Sequence, residues 1–308
     1  MEVHKQSKAI NDTIETLSDE QSYRQLFHAC RDEETLPSGE VLRRIIDLCR
    51  AILFPGYFGN ARISKQTIGY HTGVNVEKLY ALLSRQIYAG LCFSDADCLS
   101  CGEADISTRS EALSEAFIRR LPELRALLAT DIEAAFENDP AAESRSEVIF
   151  SYPGFRAIVN YRIAHLLYRL GVPFIPRMIT EMAHSETGID IHPGARIGDH
   201  FSIDHGTGTV IGETSIIGNH VRLFQGVSLA GEKLLVAACG ERGGRGVDRH
   251  PVLEDEVTVY SNSTLLGRIR IGKGATVLGN VWLTRDVAAG ETVSQAENNK
   301  AGQEEAAS

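Results

Sequence analysis

The sequence predicts an α+β chain in which a mostly α-helical first part, residues 1–187, is followed by a parallel β-helix over residues 188–292. Three observations predict it. Nine of the 28 glycines precede residue 188, whereas eighteen lie between Gly188 and Gly290, so the composition changes near that point. Before it, apolar residues recur at helical spacing. After it, they recur every six residues.

In the first part, Leu42, Ile45, Ile46, Cys49 and Leu53 share one helix face, and Leu113, Phe117, Leu121, Leu124, Leu128 and Ile132 keep the same spacing further on. After Pro153, Phe155, Ile158, Val159, Ile163, Leu166, Leu167 and Leu170 form a stripe interrupted by Arg162, and Gly171 and Pro173 end it. Turns are expected near Pro37, Pro55-Gly56 and Asn138-Asp139-Pro140. By itself this half suggests packing and assembly.

The six-residue repeat runs through Ile191, Ile197 and Ile203, then Ile211, Ile217, Leu223 and Leu229, and after a gap Leu253, Val259, Leu265, Ile271, Val277 and Leu283. The residue four places after each is usually small or β-branched, as at Ala195, Thr207, Ser215, Val221 and Val257. In a parallel β-helix each such aliphatic points to the axis, and short strands alternate with turns. Coils stack at one strand spacing, ~4.8 Å, so about four to five of them make a prism ~20 Å tall. A prism that short gains stability from the helical part and from association.

The register breaks twice. The step from Ile203 to Ile211 is eight, with the surplus in Asp204-His205-Gly206-Thr207-Gly208-Thr209, so a turn bulges outward there. The step from Leu229 to Leu253 is twenty-four, but residues 232–248 do not keep the pattern. A Gly-rich, Arg-containing excursion is expected to leave the prism there, as a candidate substrate clamp. The polar stretch 293–308 is expected to be a disordered tail.

The chain of 308 residues has 31 Lys+Arg against 41 Asp+Glu, a formal charge of −10. That balance argues against a nucleic-acid binder and against a protein drawn to anionic membrane, because both need a basic face. No run approaches the ~18 apolar residues of a membrane span, and Met1 to Ile10 has no signal-peptide core. A soluble cytoplasmic protein is expected. Six cysteines are too few for a disulfide scaffold in a chain this long. Cys98 and Cys101, with Cys92 before them, have a spacing that zinc uses, yet no second pair follows; idle thiols and no metal are expected.

The broken repeats carry the chemistry. By counting faces, Asp190 and His205 lie at the same edge of the prism, one coil apart. A carboxylate so placed orients the imidazole, fixes its tautomer and stabilises the imidazolium formed when it takes a proton. Asp248-Arg249-His250-Pro251 ends the excursion on a different corner. Arg249 offers a planar fork suited to a carboxylate, and His250 a donor or second charge beside it. In a trimer of parallel prisms neighbouring edges face each other, so a site assembled from both corners is expected.

Asp190-Ile-His-Pro193, Ile203-Asp204-His205-Gly-Thr-Gly208, Ile211-Gly-Glu-Thr214 and Asp248-Arg249-His250-Pro251, in this order over six-residue repeats, resemble the serine O-acetyltransferases. The Asn138-Asp139-Pro140-Ala141 turn resembles that family's substrate-binding aspartate motif, fifty-one residues ahead of Asp190. The resemblance covers about residues 135 to 290, with a helical layout before them. It implies a left-handed β-helix, acetyl-CoA as co-substrate with no permanently bound cofactor, L-serine as acceptor, and O-acetyl-L-serine on the way to cysteine as product. His205, oriented by Asp190, is the implied base; Asp139 and Asp204 hold the ammonium of serine, Arg249 its carboxylate, and His250 assists. For the acetyl-CoA groove, Ala230-Gly231 stands where the family has Gly-Gly, and Ser261 and Gly279 are positional matches. Lys233, Arg242, Arg245 and Arg249, with Arg268, Arg270 and Lys273, are expected near the CoA phosphates.

The family also implies a homotrimer or a dimer of trimers, and L-cysteine as feedback inhibitor. The sequence ends without the terminal isoleucine used to dock the sulfhydrylase, so that complex is not expected. The alternatives are another hexapeptide acetyltransferase acting on a sugar or xenobiotic hydroxyl, a zinc carbonic-anhydrase-like enzyme using His200 and His205, and a catalytically inactive scaffold.

Overall fold

A computed structural model describes residues 8–27, 36–59, 62–94, 103–232 and 247–296. The chain divides into two compact units, Met1–Thr35 and Leu36–Ser308. In the first, α1 (Lys8–Ser18) carries the exposed Ile10, Ile14 and Leu17, and α2 (Glu20–Tyr23) is capped by Asp19, which accepts from the Gln21 N–H.

The second unit opens with helices. Ser38 caps α3 (Gly39–Leu53), which buries Leu42, Ile45, Ile46, Cys49 and Leu53, the face the spacing predicts. Burial pushes the Cys49 thiol up to about 12, so it behaves as a core apolar group. Next come α4 (Ile68–Ser94), α5 (Glu103–Arg119) and α6 (Leu121–Asn138). Pro122 sits in the first turn of α6, and the apolar run from Leu113 to Ile132 is divided there between two helices. Then follow α7 (Arg145–Ser151), α8 (Pro153–Arg169) and α9 (Ile175–Thr187), which ends on the left-handed Gly188, φ 71°. No helix among the described residues is long and apolar enough to cross a membrane.

From Asp190 the chain winds through two- and three-residue strands: β1 (Asp190–Ile191), β2 (Arg196–Ile197), β3 (Ser202–Asp204), β4 (Val210–Ile211), β5 (Ile216–Ile217), β6 (Arg222–Phe224) and β7 (Ser228–Ala230). It resumes with β8 (Val252–Leu253), β9 (Thr258–Val259), β10 (Thr264–Leu266), β11 (Arg270–Ile271), β12 (Thr276–Val277), β13 (Trp282–Leu283) and β14 (Thr292–Val293). Every third strand up to β13 stacks in parallel, and β14 stacks on β12, giving a first face β1-β4-β7-β10-β13, a second β2-β5-β8-β11 and a third β3-β6-β9-β12-β14. This is a three-sided parallel β-solenoid. Each of the thirteen repeat aliphatics occupies one of the strands β1 to β13, and all are buried except Ile197, which is partly so. The β-solenoid and the helices before it are the fold class that the glycine count and the six-residue period predict.

One slot differs from the expected pattern. Thr207 is exposed, and Thr209 is buried in the inward place, its hydroxyl donating to the Phe224 carbonyl at 3.1 Å. The two surplus residues lie before that slot and displace it.

The solenoid's first coil is closed by helix side chains, which take up backbone carbonyls that no earlier coil can reach. From α8, Tyr161 donates to the Ala195 carbonyl at 2.6 Å, and His165 Nδ1 lies 2.8 Å from that of Pro193. Arg162 donates to the Ile197 and Gly198 carbonyls at 2.7 and 2.6 Å, and makes a bidentate pair, both bonds 3.0 Å, with Asp131 of α6. Asp131 also accepts from the Phe201 N–H at 3.1 Å. The interruption in the α8 stripe is therefore a buried charge with a full set of partners. Most of the 232–248 excursion, the tail beyond residue 296, and Cys98 and Cys101 lie outside the described residues.

Candidate functional site

Three edges turn the solenoid. Residues 205–209 lead from the third face to the first, as do 225–227, 260–263 and 278–281; residues 192–195, 212–215, 248–251 and 267–269 lead from the first to the second. The two surplus residues fall on the former edge, and His205, Gly206 and Gly208 take left-handed φ of 55°, 89° and 80° to accommodate them. A Cβ on Gly206 would lie 2.4 Å from Ile189 Cδ1, so only glycine fits. The bulge lifts His205 outward, with its side chain 77% exposed.

Asp190 lies against this bulge. The Gly208 N–H donates to the Gly188 carbonyl at 2.8 Å and the Asp190 N–H to that of Thr209 at 2.9 Å. Asp190 Oδ1 is buried without a hydrogen bond, and Arg177 Nη1 of α9 stands 3.6 Å away. A buried carboxylate oxygen without a donor is costly, which makes it a ready acceptor for an imidazole N–H. Asp190 and His205 share one edge but are not hydrogen-bonded to each other in this conformation. The carboxylate within ion-pair reach of His205 is Asp204, its Oδ1 3.9 Å from Nε2.

Asp204 and Asp139 line one small pocket, together with Asn138, Tyr152, Ser202 and Arg222. Asp139 caps the end of α6: its Oδ1 accepts from the Ala141 N–H at 2.8 Å and its Oδ2 from the Tyr152 hydroxyl at 2.5 Å. These bonds, with smaller help from the charges of His205 and Arg222, hold its carboxyl below the usual carboxylate range. Arg222 donates to Asp204 Oδ2 at 2.6 Å, and Asn138 to the Ser202 hydroxyl at 3.0 Å. Tyr152 and Arg222 were not legible as site residues. Their only signal is position, one at the start of α8 and the other one coil beyond Ser202.

Arg249 and His250 lie on the other edge, next to Glu213 and Thr214. The Thr214 hydroxyl accepts from the N–H groups of Arg249 and His250 at 2.9 and 3.1 Å, so its own proton points to His250 Nδ1 at 2.8 Å. The Thr214 N–H donates to the same Nδ1 at 3.1 Å. With Nδ1 an acceptor, Nε2 carries the proton. Burial, aided by the Arg249 charge, lowers His250 to about 4, so it is neutral at pH 7. Arg249 lies 3.4 Å from Glu213.

The groove candidates divide between the edges. Ser261 and Gly279 stack on the edge of His205, the Asn280 N–H donating to the Ser261 carbonyl at 2.9 Å. Ala230 ends β7 and Gly231 follows it, at the other edge. At Gly231 a Cβ would lie 2.8 Å from Arg249 Cγ and 3.0 Å from His250 Nε2, so the missing side chain makes room for those two residues. Of the cations expected near phosphates, Lys233, Arg242 and Arg245 lie outside the described residues. Arg268 pairs with Asp248 at 3.0 Å, Arg270 with Glu254 at 2.6 Å and Lys273 with Glu256 at 3.0 Å, so these three are already engaged.

His200 does not stand with His205. Its ring stacks on His220 at 4.2 Å, and with Asp199 these residues place three possible metal-ligand atoms within 4.8 Å of one another, on the third edge.

A capped three-sided β-solenoid of hexapeptide repeats, with an exposed histidine and an unsatisfied carboxylate at one edge, defines the class of hexapeptide-repeat acyltransferases. Residues 81–159 match the family described as serine acetyltransferase, N-terminal, and a plasmid-borne serine acetyltransferase of Synechococcus elongatus is 47% identical over 264 residues, covering 85% of this chain and 82% of that protein. The chain belongs to the serine acetyltransferase family. The serine acetyltransferase of Bacillus subtilis is 43% identical over 161 residues, 52% of this chain and 70% of that one. Among solved structures, serine acetyltransferase 1 of Entamoeba histolytica in complex with L-cysteine aligns with a TM-score of 0.68 at 33% identity, over 93% of this chain and 99% of that chain. The soybean enzyme complexed with serine aligns with a TM-score of 0.52 at 31% identity, over 85% and 96%.

Proposed function

We propose that this chain transfers the acetyl group of acetyl-CoA to the hydroxyl of L-serine, giving O-acetyl-L-serine and CoA. The observation that supports it most is the exposed His205 on a bulge against Asp190, whose buried Oδ1 has no donor, beside a pocket lined by two further acids. His205 takes the proton of the serine hydroxyl as the oxygen attacks the thioester carbonyl. The new C–O bond forms, the C–S bond breaks, and the imidazolium returns the proton to the CoA thiolate. Asp190 turns the oxygen that accepts no hydrogen bond to the imidazolium and stabilises it.

Asp139 and Asp204 take the ammonium of serine and Arg249 its carboxylate, with the neutral His250 offering Nε2–H beside it. These groups lie on two edges, so the neighbouring protomer of a trimer, alone or paired into a dimer of trimers, brings the second edge to the first. Acetyl-CoA lies along the groove between protomers, against Ala230, Gly231, Ser261 and Gly279, as a substrate and not a resident cofactor. L-cysteine, with the same ammonium and carboxylate, competes in the serine pocket. The enzyme works in the cytoplasm, where acetyl-CoA is supplied.

The test is release of free thiol from acetyl-CoA against a panel of hydroxyl acceptors. Release driven by L-serine is expected; release driven only by a sugar, or by no acceptor, overturns the reading.

A further inference from the structure

A cavity of about 710 Å³ lies far in sequence from the solenoid edges, lined by residues of α3 and α4 together with Phe58, Gly59 and Ile63. That volume is in the range of small-molecule sites. Leu48, Ala51, Phe58, Ile63 and Leu82 form apolar walls, while Arg44, Arg50 and Lys78 bring three cations against the single carboxylate of Asp47. In a chain of net charge −10 this is a local reversal of sign.

Arg50 is the informative member. It is 8% exposed, yet among the described residues no carboxylate lies within ion-pair distance of it and no side-chain hydrogen bond satisfies it. Its guanidinium carbon sits 4.0 Å from the centre of the Phe58 ring, which steers the fork without supplying an anion. Asp47 and Glu186 favour its charge only from a distance, and Glu186 is held by Arg156 at 2.6 Å. The guanidinium therefore faces the cavity without a counter-ion, and the fork matches the two oxygens of a carboxylate or phosphate.

We propose that this cavity binds a small organic oxyanion, a carboxylate or phosphate on a compact apolar body, with Arg50 as its buried partner and Arg44 and Lys78 at the mouth. The apolar walls hold the body and the three cations the head group. None of these residues belongs to the serine and acetyl-CoA machinery, so the site is additional to that reading and independent of it.

The test is calorimetric titration of the full chain at low salt with benzoate, phenyl phosphate and inorganic phosphate in separate runs. Saturable binding of benzoate or phenyl phosphate at one per chain is expected, and which of the two binds identifies the head group. Binding should weaken at least tenfold in Arg50→Met and several-fold in Lys78→Gln, and stay unchanged in Arg43→Gln, which alters an exposed cation of α3 that does not line the cavity. Inorganic phosphate binding as tightly as phenyl phosphate overturns the apolar body. No saturable binding, equal binding by Arg50→Met, or a change of oligomer size in Arg50→Met on sedimentation, the sign of a second copy covering the cavity, overturns the site.

Discussion

His250 gives a prediction with a defined sign and size. Burial lowers its imidazole from the ordinary 6.5 to about 4, while the unfolded chain keeps the ordinary value. Between those values the unfolded state binds the extra proton, so stability is fully present above pH 6.5 and is lost as pH falls toward 4. At pH 7 the folded imidazole is unprotonated and roughly a quarter of the unfolded chains carry the proton, which costs only a few tenths of a kcal/mol. At pH 5 the unfolded imidazole is charged and the folded one is not, which removes about 2 kcal/mol. His165 and His192 are also lowered by burial and steepen the same slope. The assay is urea unfolding at fixed protomer concentration, at pH 7 and pH 5, of the native chain and of His250→Asn, whose amide oxygen can still accept from Thr214. The native chain should lose about 2 kcal/mol more than the variant between the two pH values. Equal losses would refute the reasoning, since they would mean that His250 is protonated in the folded state as readily as in the unfolded one.

Three further outcomes are expected. His205→Ala should lower kcat by roughly 10²–10⁴-fold, the usual worth of a general acid–base group, with an unchanged melting temperature because the side chain is exposed; turnover within threefold of native would remove the base from the mechanism. Gly206→Ala puts a Cβ 2.4 Å from Ile189 at positive φ and should cost roughly 1–3 kcal/mol while displacing His205, so stability and kcat fall together. Arg162→Ala leaves the Asp131 carboxylate buried and unpaired, and urea unfolding should show a loss of roughly 3–5 kcal/mol. In the Arg162→Met, Asp131→Leu double variant most of that loss should return; a single variant that unfolds like the native chain contradicts the clamp.

The solenoid was legible because its rule is one-dimensional. An aliphatic every six residues needs no knowledge of distant contacts, and each member from Ile191 to Leu283 occupies its own strand. Departures from the rule were equally readable: an eight-residue step required a bulge, and the bulge carries His205. What the spacing missed depends on three dimensions. Arg162 reads as a fault in an apolar stripe until Asp131, thirty-one residues earlier, is found beside it. Tyr152 and Arg222 enter the acid pocket from different elements, and no local pattern marks either. Arg268, Arg270 and Lys273 look like a phosphate cluster in the sequence, whereas each is matched to a carboxylate sixteen to twenty residues earlier, a neighbour in the coil stack. In a solenoid, such residues are neighbours by coil and not by sequence.

That coil-to-coil logic also explains why the helical half is more than a lid. Asp131, through Arg162 and the Phe201 N–H, ties α6 to the first coil at residues 197–201. Eight residues after Asp131 comes Asp139, the residue that caps the same helix, and three residues after Phe201 comes Asp204 at the end of β3, and these two acids meet in one pocket. The Asn138 bond to the Ser202 hydroxyl lies between the clamp and the pocket and holds the same register. A shift of α6 by one turn, ~5.4 Å, would leave Arg162 and the Phe201 N–H without Asp131 and carry Asp139 away from Asp204 at once. On the other side α9 brings Arg177 to 3.6 Å from Asp190. The contacts that close the open end of the solenoid therefore fix the carboxylates around His205, and selection for a stable cap is selection for the geometry of the site.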